Sequence, residues 1–301
     1  MKLGTSGQKV KHLQRKLNKI LRIQVKVDGI FGIGTMNAVK KLQKQFGLTI
    51  DGIVGAQTNR EINKQYNILM DSSDMVTFQK PRFVVFVDAG HGGINDLGRY
   101  VTAGKQAYHE GTDLHQNGHY YEGYENRIVA EMFIEQMTKE GIQTIRTYHP
   151  VDDTPLSERT RLVNSYLKRG YFGYLMSFHS NAISSSNSKQ KLESTRGFCV
   201  FSTRGNTLSD KIAEKHFQTV LHNVKDWKLR TQTRQDGDSD FEANFQILRQ
   251  TDKNLKNFGA ILEEWGFHTS KIDTEFIIDS RNLRVSCAVK TAKKVKKMMK
   301  G

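Results

Sequence analysis

Cysteine is nearly absent from these 301 residues: there are two, Cys199 and Cys287. Two cysteines make no disulfide framework, and their spacing fits no zinc-ligand pattern. Cys199 lies in the apolar run Phe198-Cys199-Val200-Phe201, which predicts a buried free thiol. No stretch approaches the roughly 20 apolar residues that a membrane span needs. The start, Met1-Lys2-Leu3-Gly4-Thr5-Ser6-Gly7, has no apolar core of the signal-peptide type. The expectation is a chain made in the cytoplasm and carried elsewhere by other means. Acid is scarce at both ends. Met1 to Gln65 holds thirteen Lys/Arg against Asp28, Asp51 and Glu61, a local charge of +10. Arg281 to Gly301 holds eight basic residues and no acid. The whole chain carries +15, so the body between the ends is nearly neutral. Clustering of this kind predicts a polyanionic partner, such as an anionic polymer or a membrane surface. Nucleic acid is not expected, because the basic ends lack interleaved aromatics and a reading motif.

What the chain does have is an internal repeat. Asp28-Gly29-Ile30-Phe31-Gly32-Ile33-Gly34-Thr35 is echoed by Asp51-Gly52-Ile53-Val54-Gly55-Ala56-Gln57-Thr58. Asp-Gly marks a tight turn, and the second glycine releases the chain into a helix. Thr35 and Thr58 stand where N-caps belong, and Thr58 with Glu61 reads as a capping box. Helical spacing at Val10, Leu13, Leu17 and Ile20, and again at Val39, Leu42 and Phe46, predicts a small three-helix unit over residues 1–65. Tyr66 to Lys80, with the polar Asp71-Ser72-Ser73-Asp74, reads as a linker.

The remaining residues, 81–301, alternate strands with helices and predict an α/β sheet. Val84-Val85-Phe86-Val87-Asp88-Ala89-Gly90-His91 is an apolar strand that delivers a histidine to a glycine-rich loop. Tyr174 to Ala182 is a second strand ending on His179, and Phe258 to Phe267 a third that stops at Glu263-Glu264. Asn95 to Tyr121 reads as a long polar loop, and Glu122 opens the helix after it. Two histidines and a carboxylate gathered at one sheet edge, with a fourth position open, form a catalytic zinc set. Neighbours in a strand face opposite ways, so only one of Glu263 and Glu264 can face such a site. Which of Glu263 and Glu264, and which of Glu122 and Glu125, does so stays open at this point.

These residues carry two resemblances. Gly7, Val10, Leu13-Gln14, Leu17, Asp28-Gly29, Phe31-Gly32, Thr35, Leu42-Gln43, Asp51-Gly52, Gly55 and Thr58 resemble the peptidoglycan-binding domain of cell-wall hydrolases. Asp88 to Gly93, Glu122 with Asn126 and Ala130, Ser177 to Ala182, and Leu262 to Phe267 resemble the successive motifs of the zinc-dependent N-acetylmuramoyl-L-alanine amidases of the amidase-3 type. The second resemblance spans about Phe83 to Lys300, with Ala89 standing where family members usually carry proline. It implies a single twisted, mostly parallel sheet flanked by helices. It also implies Zn2+ held by His91, Glu122 and His179, Glu264 as the catalytic carboxylate, and hydrolysis of peptidoglycan at the bacterial cell wall. The run Glu122-Gly123-Tyr124-Glu125-Asn126-Arg127 is similar to that of phage enzymes and implies an endolysin or a particle-associated lysin. A wall-binding or tail-structural protein with a decayed site is the alternative, and the intact set of four residues speaks against it.

The other candidates are weaker. His109, His115 and His119 lie in the polar loop, His216 falls on a helix, and His268 could line the cleft. Arg249 could bind a stem-peptide carboxylate. Val285 to Lys300 predicts a closing helix on the sheet, with a membrane-surface helix as the sharper reading.

Overall fold

The computed structural model describes residues 1–21, 23–73, 82–95, 97–232, 237–249, 251 and 257–300. The chain divides into two compact units, Met1–Lys80 and Pro81–Gly301. No described helix is long and apolar enough to cross a membrane.

The first unit has three helices, α1 (Gln8–Leu21), α2 (Ile33–Gln45) and α3 (Ala56–Ser73). Their apolar stripes, with Val10, Leu13, Leu17, Val39, Leu42 and Ile62, meet around Phe31 of the first turn in one core. Helix α3 continues to Ser73, so the first half of the expected linker is helical. Residues 74–81 lie outside the described set. The expected caps are corrected. Helix α2 begins at Ile33 after Gly32, with no side-chain cap, and α3 begins at Ala56. Thr35 and Thr58 therefore sit inside the first turns, and each hydroxyl accepts from a buried glutamine of the preceding helix. Gln14 donates to Asp28 Oδ1 (2.9 Å), the Ile30 carbonyl (3.0 Å) and Thr35 Oγ1 (3.1 Å), and accepts from the Gly29 N–H (2.9 Å). Gln43 repeats the pattern with Asp51 (2.7 Å), Ile53 (3.0 Å), Thr58 (3.1 Å) and Gly52 (2.8 Å). The repeat is thus two copies of a glutamine-clamped turn. Gln43→Leu leaves several buried groups unpaired and is expected to destabilise this unit by about 2–4 kcal/mol. Urea denaturation of the full chain, followed by a probe placed in this unit, measures the loss.

The second unit is a six-stranded sheet between two helical layers. Its strands are β1 (Phe83–Ala89), β4 (Gln143–Arg146), β5 (Phe172–Asn181), β6 (Phe198–Ser202), β7 (Phe241–Glu242) and β8 (Phe258–Phe267). Their order is β4-β1-β5-β8-β6-β7, parallel throughout except that β6 runs antiparallel to β8. Every residue of β1 is buried, as a strand covered on both faces requires. One face packs Val85, Val87, Met176, Phe178, Ile261 and Trp265 against helices α4 (Glu122–Lys139), α7 (Leu208–Asn223) and α10 (Arg281–Lys300). The other packs Val84, Phe86, Leu175, Ala260 and Leu262 against Val163 of α5 (Leu156–Leu167) and Ile247 and Leu248 of α8 (Gln246–Arg249). Helix α10 buries Val285, Ala288, Ala292 and Val295 in the core, so its apolar face closes the sheet and only its lysine face points outward. The expected long loop contains a hairpin, β2 (Gln106–Tyr108) with β3 (His119–Tyr121). Strands of three residues are too short to show an alternation in sequence.

Asp88 and Arg159 form the buried pair that fixes the loop after β1. Arg159 donates to Asp88 Oδ1 (2.9 Å) and to the carbonyls of Ala89 (2.7 Å) and His91 (3.3 Å). The hydroxyls of Thr147 and Ser177 also donate to Asp88, each at 2.6 Å. Burial opposes the charge, but Arg159 and the two hydroxyls outweigh it and hold the carboxyl below its usual range. A depressed folded-state pKa contributes stability that is complete above the unfolded value of about 3.9 and is lost as pH falls through the folded one. The stability of the wild type is therefore expected to decline below about pH 4 more steeply than that of Asp88→Asn. Arg159→Met, which strands the buried carboxylate, is expected to cost about 3–5 kcal/mol near neutrality. Denaturant titrations across pH check both expectations.

Candidate metal centre

The carboxyl ends of β1, β5 and β8 share one rim, where sites form in open α/β sheets. His91 stands two residues past β1 with φ 63°, a left-handed conformation unusual for a residue with a side chain. His179 lies near the end of β5, directly beside Glu264 of β8 in the parallel register. Glu122 is the first residue of α4 and is 2% exposed. Its Oε1 lies 3.0 Å from His179 Nδ1 and 3.4 Å from His91 Nε2. One ligand atom from each of the three residues lies within 4.8 Å of the others. Two imidazoles and a carboxylate are a donor set that fits a borderline divalent ion. Burial, the largest influence on His179, pulls its pKa down despite Glu122, favouring the neutral ring that a metal requires.

The surroundings shape this cluster. A Cβ at Gly90 would lie 2.0 Å from His179 Cε1, so only glycine leaves room for the ring. Arg284 donates to the His179 carbonyl at 2.9 Å and also pairs with Glu263. Arg127 donates to the carbonyls of Gly123 (2.9 Å) and His149 (3.0 Å), tying the start of α4 to the neighbouring loop. His268 stacks on Tyr120, and its Nδ1 lies 3.9 Å from Glu122 Oε2.

Strand alternation separates the paired acids. Glu263 points into the helical layer, where His216 Nε2 lies 2.8 Å from its Oε2. Burial opposes its charge, but Arg284 and His216 prevail and keep its carboxyl low. Glu264 points to the other face. Its Oε2 is buried with no hydrogen-bond partner among the described residues. Burial first, and the negative Glu122 second, push its carboxyl well above the usual range. Glu125 turns away to His115 (2.9 Å) and Arg281. His109 binds the His268 carbonyl (3.0 Å), and His119 stacks on Tyr121. None of these enters the cluster. Arg249 ends α8 on the same face of the sheet as Glu264, exposed and outside the cluster. Cys199 is a buried free thiol, as expected, and pairs in register with Glu264. Sequence reading missed Arg159 and Arg284, whereas His268, a weaker candidate for the cleft, does stand beside Glu122. A charged residue on an amphipathic helix carries no local sign that it turns inward.

Sheet, rim and donor set define the class: a domain of α/β architecture built around a candidate metal centre. The chain belongs to the N-acetylmuramoyl-L-alanine amidase family, whose match runs over residues 85–297. A peptidoglycan binding domain family matches residues 6–62. The chain is similar to the spore cortex-lytic enzyme of Halalkalibacterium halodurans, with 35% identity over 80 residues covering 27% of this chain and 24% of that protein. It is 43% identical to the spore cortex-lytic enzyme of Bacillus cereus over 61 residues, 20% of this chain and 24% of that one. The chain thus spans about a quarter of the length of these relatives. Among solved structures, the fold is similar to the N-acetylmuramoyl-L-alanine amidase from Clostridium difficile 630, with a TM-score of 0.51 and 23% identity over 70% of this chain and 95% of that one. It is similar also to AmiC2 of Nostoc punctiforme, with a TM-score of 0.51 and 18% identity over 72% and 98%.

Proposed function

We propose that the second unit hydrolyses the amide bond between N-acetylmuramic acid and L-alanine in peptidoglycan. Zinc is held by His91, Glu122 and His179, and Glu264 is the catalytic carboxylate. The observation that carries this reading is the convergence of three donors from separate elements beside an acid with an unpartnered buried oxygen. Family membership supplies the bond.

An amide resists hydrolysis because resonance protects its carbonyl and its nitrogen leaves poorly. The chemistry that a zinc ion supplies in such a site is polarisation of the carbonyl and a water pKa lowered to about 7. Glu264 takes the proton of the attacking water at Oε2 and passes it to the departing nitrogen. Arg284 and Arg159 hold the backbone carbonyls of His179 and His91, so neither imidazole must be reorganised during the reaction. Arg249, exposed on the same face, binds a carboxylate of the stem peptide. The first unit keeps the enzyme on its insoluble polymer, which raises local concentration without new contacts at the site. Its basic surface suits anionic wall polymers.

The setting we infer is lysis by a phage-encoded lysin, on the strength of the run Glu122 to Arg127. The spore cortex-lytic relatives favour a second setting, the spore cortex. Purified vegetative walls and purified cortex, digested in parallel, separate the two by which one dissolves. Digestion of walls by the full chain is expected to free stem peptides with an amino-terminal alanine, to stop with EDTA and to resume with zinc. Release that survives EDTA unchanged, or release of sugars instead of peptides, would overturn the proposal.

A further inference from the structure

Three aspartates converge at the opposite rim of the sheet. Asp210 lies in the first turn of α7, where its N–H donates to the Thr207 side chain. Asp238 and Asp240 come from the segment that leads into the edge strand β7. One carboxylate oxygen of each lies within 4.8 Å of the other two. Asp240 is 1% exposed, and neither of its oxygens has a hydrogen-bond partner among the described residues. The hydroxyl of its neighbour Ser202 donates to the Thr203 carbonyl at 3.0 Å. Asp238 Oδ1 is also buried and unpartnered among the described residues. Burial, and then the negative Asp238 and Asp210, push the Asp240 carboxyl up against the opposing influence of the Ser202 hydroxyl. A fourth acid is near, since Glu214 Oε2 accepts from the Ser239 N–H at 3.2 Å. Burying Asp240 beside other carboxylates, with both its oxygens unpartnered among the described residues, is costly.

This cluster is separate from the histidine centre. Strand β6 runs antiparallel to β8, so its last residue, Ser202, lies towards the start of β8. The start of α7 is there too, with Ser209 Oγ accepting from the Ala260 N–H at 2.8 Å. Glu264 and His179 lie towards the other end of the same strands.

We propose that Asp210, Asp238 and Asp240 bind one hard divalent cation, calcium foremost, at a structural site. An all-carboxylate set without nitrogen or sulfur selects calcium, magnesium or manganese over zinc. Ligands from a helix end and an irregular segment suit the flexible coordination of calcium better than the strict octahedron of magnesium. The ion joins the first turn of α7 to the segment before β7. That junction already carries the Ala243 N–H to Ser202 carbonyl bond (3.0 Å) and the Gly205 N–H to Glu242 bond (2.5 Å). Its role is to hold the short edge strand on the sheet.

The test uses the full chain, stripped of divalent ions, reloaded with one equivalent of zinc and then titrated with CaCl2. Calorimetry is expected to show one calcium site per chain, and saturating calcium to raise Tm by about 5 °C. Asp240→Asn and the more accessible Asp238→Asn are expected to weaken calcium binding by at least about tenfold. Both should keep the wild-type far-UV circular dichroism and lose the calcium-dependent rise in Tm. A response to MgCl2 or MnCl2 instead, lost in the same variants, supports the site with a different ion. The proposal is overturned if none of the three salts binds or shifts Tm, or if both variants respond as the wild type does. Neither readout depends on the proposed amidase activity, so the two readings stand or fall separately.

Discussion

Glu264→Gln is expected to abolish turnover while leaving zinc in place. Glutamine keeps the volume and the carbonyl oxygen but can neither accept nor return a proton. General acid–base groups contribute about 10²–10⁴-fold, so a loss of that size is expected in the rate of stem-peptide release. Glu264 is not among the three converging donors, so metal content by elemental analysis should equal that of the wild type. His91→Ala and His179→Ala, by contrast, should lose metal and activity together. Glu263→Gln gives a third pattern. It disturbs the buried pairing with Arg284 and His216 and should lower stability before it changes the chemistry. Wall digestion that persists in Glu264→Gln would remove this acid from the mechanism.

Gly90→Ala is expected to disable the centre without touching a ligand. The added methyl would lie 2.0, 2.3 and 2.5 Å from three atoms of the His179 ring, closer than real Cβ contacts come. The ring cannot simply step aside. Its Nδ1 is 3.0 Å from Glu122, and Arg284 holds its backbone carbonyl. Displacement by about 1 Å can cost 10²-fold, so a fall of at least that size in wall digestion is expected, together with weaker zinc retention. Binding of the full chain to insoluble walls should persist, because the glutamine-clamped turns of the first unit are untouched. Gly34→Ala is the contrasting case. Beyond its chain neighbours and its own helix backbone, nothing lies within 4 Å of the added carbon, and the site is inside α2, so it should stabilise by about 0.5–1 kcal/mol.

Much of the architecture is legible in the chain because its signals are local. Phe258 to Phe267 reads as a strand and is one over those same bounds, because it is a short, dense apolar run. The hairpin β2–β3 is not legible, because its strands, which pair Gln106 with Tyr121 and Tyr108 with His119, are only three residues long and show no period. The caps at Thr35 and Thr58 mislead for a related reason. Threonine before a helical run is a good N-cap, but here a glutamine from the preceding helix, 21 residues away in one repeat and 15 in the other, claims the hydroxyl. Local preference yields to the need to satisfy a buried amide.

The order of residues alone determined that two strands end in histidines, that a third ends in paired acids and that a glutamate opens the helix between them. Side-chain alternation then allowed only one acid of the pair to face the histidines. Tertiary structure decided the rest. It brought His91, Glu122 and His179 to one point and set Arg159 and Arg284 behind them. It turned Glu263 into the helical layer and gathered Asp210 with Asp238 and Asp240 at the far rim. The reason is physical: periodicity records which way a side chain faces along its own element, while a ligand set depends on distances between elements, and only packing fixes those.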